Sequence, residues 1–156
     1  MKQYILYGNG GHSRVLKDVI HLLGGEVVHV FDSENAYNAE VFPNAELIIA
    51  IGNSEIREKI SQEVSHQFAK LIHPKAILAS DVKMGEGSVI LANAVIQVGS
   101  EIGKHCIINS STVIDHDVII GDFVSIYPNS YIGGGAQITN YRTIEPNSVV
   151  ERLSIV

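Results

Sequence analysis

Aliphatic side chains recur at every sixth position over the second half of the chain. Counting in sixes from Leu78, every position as far as Val156 holds Leu, Met, Ile or Val. The series is Leu78, Met84, Ile90, Ile96, Ile102, Ile108, Ile114, Ile120, Ile126, Ile132, Ile138, Ile144, Val150 and Val156. A period held over so long a stretch is a structural repeat, and it takes precedence over local propensity.

A longer unit of 18 residues is marked by glycine, which follows the aliphatic position at Gly85, Gly103 and Gly121. We expect glycine to serve there because it accepts backbone angles that a residue with a Cβ resists. Stacked coils of three short strands would form a left-handed parallel β-helix over residues 74–156, with roughly four coils. An antiparallel meander is the alternative, since six is a multiple of the strand period of two. A meander needs hairpin signals at regular intervals, and the 18-residue spacing of the glycines fits this arrangement poorly.

The first 73 residues alternate between strand and helix patterns. An apolar strand at residues 3–7 precedes a helical pattern over 12–22, a strand ending at Asp32, and a third strand within 46–53. The segment "SEIREKISQEV" predicts a second helix with Ser54 as its N-cap, and "FAKLIHP" predicts a fourth short strand. This order is typical of a parallel Rossmann-like sheet at about half the usual size. Pro74 marks the exit into the β-helix.

Composition limits the possible classes of function. The chain has 156 residues, 46% of them hydrophobic, and a formal net charge of -6, which argues against nucleic-acid binding. The single cysteine, Cys106, falls on a small-residue position of the repeat, which predicts core packing. No signal-peptide pattern and no membrane-length apolar run is present, so we expect a cytoplasmic protein without a membrane partner. No metal site is predicted.

Two features of the N-terminal half could bind a ligand. The glycine-rich turn "GNGGH" lies between the first strand and the first helix, where backbone N–H groups can face a phosphate. Asp32, at the end of the second strand, could accept a hydrogen bond from a sugar hydroxyl. The full dinucleotide fingerprint is absent, and a tight strand-to-helix connection is the other interpretation of the turn. His12 on its own is more often a helix-start residue than a ligand.

The triplet Asp115-His116-Asp117 interrupts the apolar pattern two residues after Ile114, so it should lie near a turn of the solenoid. An imidazole accepts a proton close to neutral pH, and a neighbouring carboxylate fixes its tautomer and stabilises its cation. His116 could therefore serve as a general base for direct acyl transfer, without a cysteine or serine nucleophile. A merely polar turn is the structural alternative.

The chain resembles the sialic acid O-acetyltransferase and UDP-4-amino-sugar N-acetyltransferase family in the order of five motifs, "YGNGGHSRV", "FDS", "AIGN", "HPKA" and "VIDHDVIIGDF". The resemblance runs from residue 3 to about residue 150. It implies a nucleotide-sugar-binding domain at residues 1–73, a β-helical acyltransferase domain at 74–156, and transfer of acetyl from acetyl-CoA to an amino or hydroxyl group of an activated sugar. It also implies a homotrimer in surface-polysaccharide biosynthesis.

The same resemblance implies roles for individual residues. His116 takes the place of the family's general base, and Asp117 that of the acidic residue that raises its basicity. Acetyl-CoA would lie in a groove between subunits near Ser125 and Gly134. The residues implied in binding the nucleotide sugar are Gly10, Gly11, His12, Asp32, Ser33, Gly52 and Asn109.

Three departures from the family pattern affect the donor side. Ser125 stands where the family usually has a second histidine, and "ITNYR" puts Thr139 and Arg142 at positions where a glycine and a small residue are expected. The array also ends at Val156, before the further coils and "GxPAK" segment of the family, so we expect weakened acetyl-CoA binding. A second hypothesis is therefore a non-catalytic relative that binds nucleotide sugar alone.

Overall fold

A three-stranded parallel sheet flanked by two helices forms the N-terminal part of the computed structural model, which describes residues 1–156. The elements in chain order are β1 (Gln3–Tyr7), α1 (Gly11–Leu22), β2 (Glu26–Phe31), β3 (Glu46–Ile49) and α2 (Ser54–Glu63). The strand order is β2-β1-β3. Both helices and all three strands agree with the sequence prediction, and the Rossmann-like interpretation is confirmed.

Alternation along the strands gives this sheet two buried sides. Leu6 of β1 packs in one cluster with Leu16 and Ile20 of α1, whereas its neighbour Ile5 packs in another with Ile60 of α2. The predicted N-cap of α2 was wrong by one residue. Asn53, not Ser54, caps the helix, because its side-chain oxygen accepts a hydrogen bond from the Ile56 N–H at 2.9 Å.

The rest of the chain forms the predicted parallel β-helix of two-residue strands. These are β4 (Leu71–Ile72), β5 (Ile77–Leu78), β6 (Lys83–Met84), β7 (Val89–Ile90), β8 (Val95–Ile96), β9 (Glu101–Ile102), β10 (Ile107–Ile108), β11 (Val113–Ile114), β12 (Ile119–Ile120), β13 (Ser125–Ile126), β14 (Tyr131–Ile132), β15 (Gln137–Ile138), β16 (Thr143–Ile144) and β17 (Val149–Val150). The first face comprises β4, β7, β10, β13 and β16, the second β5, β8, β11, β14 and β17, and the third β6, β9, β12 and β15.

The six-residue register places its aliphatic side chains inside the solenoid. Ile90, Ile108 and Ile126 stack along the first face in one continuous core, each paired with the same position one coil away. Cys106 lies in this core with no exposed surface, and its thiol donates to the Gly121 carbonyl. Burial raises the pKa of the Cys106 thiol to about 11, so the prediction of core packing is confirmed.

The reason given for the periodic glycines was wrong. Gly85 and Gly103 do not have positive φ angles; a Cβ on Gly85 would instead lie 2.5 Å from the backbone carbon of Gly103. These glycines are required because successive coils approach too closely for a side chain. The left-handed corner positions are taken by other residues, including Asp117 (φ 57) and Phe123 (φ 59).

Two other features differ from the expectation. Leu71–Ile72, predicted as a fourth strand of the N-terminal sheet, pairs with Val89–Ile90 and belongs to the solenoid, while only Phe68 bridges the sheet, at Leu47. The "ITNYR" segment has Thr139 and Arg142 where a glycine and a small residue were expected, yet the coil continues through it, since β16 pairs with β13 in the usual register. The domain boundary between residues 73 and 74 stays a prediction. The first solenoid strand, β4, lies on the N-terminal side of that boundary.

Candidate active site

The glycine-rich turn and the ends of β2 and β3 meet in a cavity of about 430 Å³ at the carboxyl edge of the N-terminal sheet. The residues lining it are Tyr7, Gly8, Asn9, Gly10, Gly11, His12, Asp32, Ser33, Ala50, Ile51 and Gly52. A Cβ added to Gly10, Gly11 or Gly52 would meet nothing within 4 Å, so these glycines face open space. Six of the seven residues predicted to bind the nucleotide sugar therefore lie around one cavity.

Asp32 is held in place by its own loop. One carboxylate oxygen accepts hydrogen bonds from the backbone N–H groups of Glu34 and Asn35, both at 2.9 Å. These bonds, that of Glu34 first, lower the pKa of Asp32. No backbone N–H donates to the second carboxylate oxygen, and the side chain of Asn9 also lowers the pKa, so an ionised carboxylate lies at the rim of the cavity.

A second, smaller cavity of about 140 Å³ adjoins the first and reaches the β-helix. His12 and Gly52 line both cavities, and the first face supplies Asn109 and Ser125 to the smaller one, together with Ile107 and Tyr127. The Nε2 atom of His12 is buried without a protein partner. Burial, followed by the positive charge of Arg57, lowers the pKa of His12 to about 4. At neutral pH this ring is uncharged and has one nitrogen free for a ligand.

His116 lies on the turn between the second and third faces, as the sequence predicts. Its Nδ1 atom is 2.8 Å from a carboxylate oxygen of Asp117, and 46% of its side chain is exposed. Because an ionised carboxylate only accepts hydrogen bonds, Nδ1 must donate to it, so the neutral ring carries its proton on Nδ1 and Nε2 keeps its lone pair. Of the two flanking aspartates, Asp117 is thus the one that can stabilise a protonated ring.

The other aspartate orients the backbone of this turn. Asp115 accepts a hydrogen bond from the His116 N–H and another from the hydroxyl of Tyr131, both at 2.8 Å. The Tyr131 bond is the main cause that lowers the pKa of Asp115. Tyr131 lies one coil further along the second face, at the strand position of Val113. Sequence reasoning missed it, although its place in the 18-residue register would have indicated this contact.

Gly134 lies directly against the imidazole of His116. A Cβ at this position would be 2.8 Å from Nε2 and 3.0 Å from Cε1 of the ring. The structure therefore brings together two residues that were predicted separately, one for base catalysis and one for cofactor binding. Ser125, the other predicted cofactor residue, is on the first face and lines the small cavity instead.

Neither cavity is lined by His116. Within one chain, the imidazole–carboxylate pair and the glycine-lined cavities occupy different sides of the solenoid. The pair can accept and return a proton at Nε2, and the cavities can hold an anionic ligand with hydroxyl groups. No cluster of three or more His, Cys, Asp or Glu side chains is arranged to hold a metal ion.

Comparison with known proteins finds one match in the N-terminal part of the chain and one in the β-helix. Residues 3–64 match the PglD N-terminal domain, and residues 99–134 match the bacterial transferase hexapeptide family of six repeats. The second match agrees with the six-residue repeats and the parallel β-helix of the structure. Both matches support the family that the motifs predicted, the hexapeptide-repeat sugar acetyltransferases that carry an N-terminal domain of the PglD type.

Three relatives illustrate the similarity. UDP-N-acetylbacillosamine N-acetyltransferase from Bacillus subtilis (strain 168) is 30% identical over an alignment that covers 59% of this chain and 52% of that protein. The acetyltransferase domain of PglB from Neisseria gonorrhoeae FA1090 is 25% identical with a TM-score of 0.75, covering 100% of this chain and 91% of that one. The same domain has also been solved in complex with acetyl coenzyme A.

The third relative is a mutant of perosamine N-acetyltransferase from Caulobacter crescentus, solved with CoA and GDP-perosamine. It is 22% identical with a TM-score of 0.76, covering 99% of this chain and 85% of that one, and this similarity concerns the fold. The chain spans about half the length, 52%, of the Bacillus subtilis protein. Neither helix of the present chain is both long and apolar enough to cross a membrane.

Proposed function

We propose that the protein transfers the acetyl group of acetyl-CoA to an amino group of a nucleotide-activated sugar, as a step in surface-glycan biosynthesis. The observation that carries this proposal is the His116–Asp117 pair on an exposed turn of the β-helix, with Gly134 packed on the ring. The Bacillus subtilis relative, by its name an N-acetyltransferase, supports an amino rather than a hydroxyl acceptor.

The proposed chemistry is a direct transfer. Nε2 of His116 takes a proton from the neutral sugar amine as the amine nitrogen attacks the thioester carbonyl, and the new C–N bond gives a tetrahedral intermediate. The C–S bond then breaks, and the protonated imidazole returns its proton to the departing thiolate of CoA. Asp117 stabilises the imidazolium between these two steps, since its carboxylate lies 2.8 Å from Nδ1.

The acceptor would bind at the N-terminal domain. The backbone N–H groups of Gly10 and Gly11 open α1 and suit the diphosphate, and Asp32 and Ser33 suit hydroxyl groups of the ribose. The sugar would extend past Gly52 into the smaller cavity. There the free Nε2 of the uncharged His12 and the side chain of Asn109 offer hydrogen bonds.

A homotrimer would bring this acceptor to His116. The second face carries a stripe of outward apolar side chains, Ile77, Val95, Val113, Tyr131 and Val149, and Ile77 and Val149 are 65% and 70% exposed. The other faces lack such a stripe. The N-terminal domain covers Leu71, Val89 and Ile107 of the first face, and an exposed Lys83–Glu101 ion pair lies on the third.

His116 lies at the edge of the apolar stripe, and the smaller acceptor cavity lies against the first face. A neighbouring subunit packed against the second face would therefore contribute the acceptor cavity that faces His116. Acetyl-CoA would lie along the same junction, close to Gly134, whereas Ser125 lines the smaller cavity on the acceptor side. We place this activity in the cytoplasm, where both acetyl-CoA and nucleotide sugars are made.

Separate calorimetric titrations with acetyl-CoA and with a UDP-4-amino sugar, followed by mixing of all three components, test this proposal. We expect both ligands to bind, and we expect free CoA thiol and acetylated sugar to appear in equal amounts. Binding of the sugar nucleotide alone, without turnover, would select the non-catalytic relative. Binding of neither ligand would refute both functions.

A further inference from the structure

The side chain of Arg57 is a buried cation that sequence reasoning missed. It projects from the first turn of α2 and is only 1% exposed, and no carboxylate forms a salt bridge with it. A buried charge is costly unless it is paired or fully hydrogen-bonded. Burial lowers the pKa of Arg57 to about 10, so the guanidinium remains charged at neutral pH.

On one side the guanidinium holds the loop that follows β3. Its Nη1 donates to the carbonyl of Ile51 at 3.0 Å and to that of Gly52 at 2.6 Å. Gly52 lines both cavities. Because Gly52 has no side chain to pack and an added Cβ there would meet open space, the contacts of Arg57 with these carbonyl groups help to hold this part of the loop.

On the other side the same guanidinium holds a corner of the β-helix. Its Nε donates to the carbonyl of His105 at 3.1 Å, and its Nη2 donates to the carbonyl of Phe123 at 2.9 Å and the hydroxyl of Ser125 at 3.0 Å. Ser125 lines the smaller cavity opposite Gly52. Arg57 thus connects the two walls of that cavity from behind, with five hydrogen bonds shared between two domains.

We propose that Arg57 is a positioning residue that sets the gap between Gly52 and Ser125, and with it the fit of the acceptor sugar. This inference rests on the proposed function, since the smaller cavity is taken as the sugar site. A planar guanidinium presents five donors in a fixed geometry, whereas the ammonium of lysine has three. Lysine at this position would keep the charge but leave carbonyl groups on one or both walls without a donor.

A second contact at the same domain junction provides a matched control. The hydroxyl of Tyr141 donates to a carboxylate oxygen of Glu58 at 2.7 Å, which also joins α2 to the solenoid. Neither residue lines the two cavities. Tyr141→Phe therefore weakens domain docking without changing the cavity wall. Lys59→Met, at an exposed position of the same helix, removes a positive charge without touching either domain contact.

The test compares the binding of the two substrates to Arg57→Lys, Tyr141→Phe and Lys59→Met. We expect the Kd for the UDP-4-amino sugar to rise at least tenfold in Arg57→Lys, while the Kd for acetyl-CoA stays within twofold of wild type. Both constants should stay within twofold in the two controls. A general loss of structure would weaken the binding of both ligands alike, and that result would overturn the proposal. An equal rise of the Kd for the UDP-4-amino sugar in Tyr141→Phe would also overturn it.

A measurement without ligand separates this inference from the proposed function. Backbone order parameters of Gly52 and Asn53, measured by NMR, should fall in Arg57→Lys and be unchanged in Tyr141→Phe. If the wild-type protein binds no nucleotide sugar, the proposed function fails, and unchanged order parameters would then refute the role of Arg57 as well. If the wild type binds the sugar and Arg57→Lys binds it equally well, only the role of Arg57 fails.

Discussion

Gly134→Ala tests whether the position of the His116 ring controls activity. The new methyl carbon would lie 2.8 Å from Nε2 and 3.0 Å from Cε1, whereas nonbonded atoms of this kind rest at about 3.5 Å or more. The ring must therefore retreat by roughly 0.7 Å. Such a movement would disturb its 2.8 Å contact with Asp117.

A displacement of this size has a calculable effect on rate. Misplacing a reacting group by about 1 Å can cost about 10²-fold, so we expect kcat to fall by roughly 10- to 100-fold, or about 1.4–2.7 kcal/mol of activation free energy. The melting temperature should change little, because half of the ring is exposed and free to move into solvent.

The assay is acetyl transfer at saturating concentrations of both substrates, followed by release of the CoA thiol. Gly134→Ala is also made in a His116→Ala background, where no ring is present to be displaced. We expect the glycine substitution to have no further effect there, which is the signature of two coupled residues. Equal losses in both backgrounds would refute the positional explanation, as would full activity of the single variant.

Three further predictions concern stability and assembly. Asn53→Ala should destabilise the protein by about 1 kcal/mol through loss of the helix cap, and Ser54→Ala by no more than a few tenths; a larger effect at Ser54 would contradict the observed cap. Burial lowers the pKa of His105 to about 4, and an unfolded histidine titrates near 6.5. The contribution of His105 to the free energy of unfolding should therefore be fully present above pH 6.5 and should fall as the pH drops towards 4. The melting temperature of His105→Phe should depend less on pH than that of the wild type. Val113→Glu, on the second face, should convert a trimer into monomers in light scattering, whereas Ile119→Glu, on the third face, should remain trimeric.

The regular parts of the fold could be predicted because each follows from a local rule. Ile114 and its equivalents face the core, since a six-residue period returns a side chain to the same side of each coil. The physical role of Gly85 could not be predicted, because close approach of the next coil depends on residues 18 positions away. Leu71 was assigned to the wrong sheet, since a two-residue apolar segment contains no information about its partner strand.

The candidate site was predictable to the extent that its parts are local. The contact between His116 and Asp117 joins adjacent residues, and Asp32 follows from its place at the end of a strand. Arg57 was not predictable, because its partners His105 and Phe123 are distant in sequence and are backbone carbonyl groups, which no residue pattern identifies.

Turnover by His116→Gln, compared with wild type at saturating acetyl-CoA and UDP-4-amino sugar, tests the central claim most directly. Glutamine keeps a polar side chain on the exposed turn but cannot accept the amine proton near neutral pH. Acetylation of the sugar should fall by about 10² or more, the usual contribution of a positioned general base, while calorimetry returns unchanged binding of both substrates. Equal turnover by the two proteins would contradict the assignment of His116 as the base.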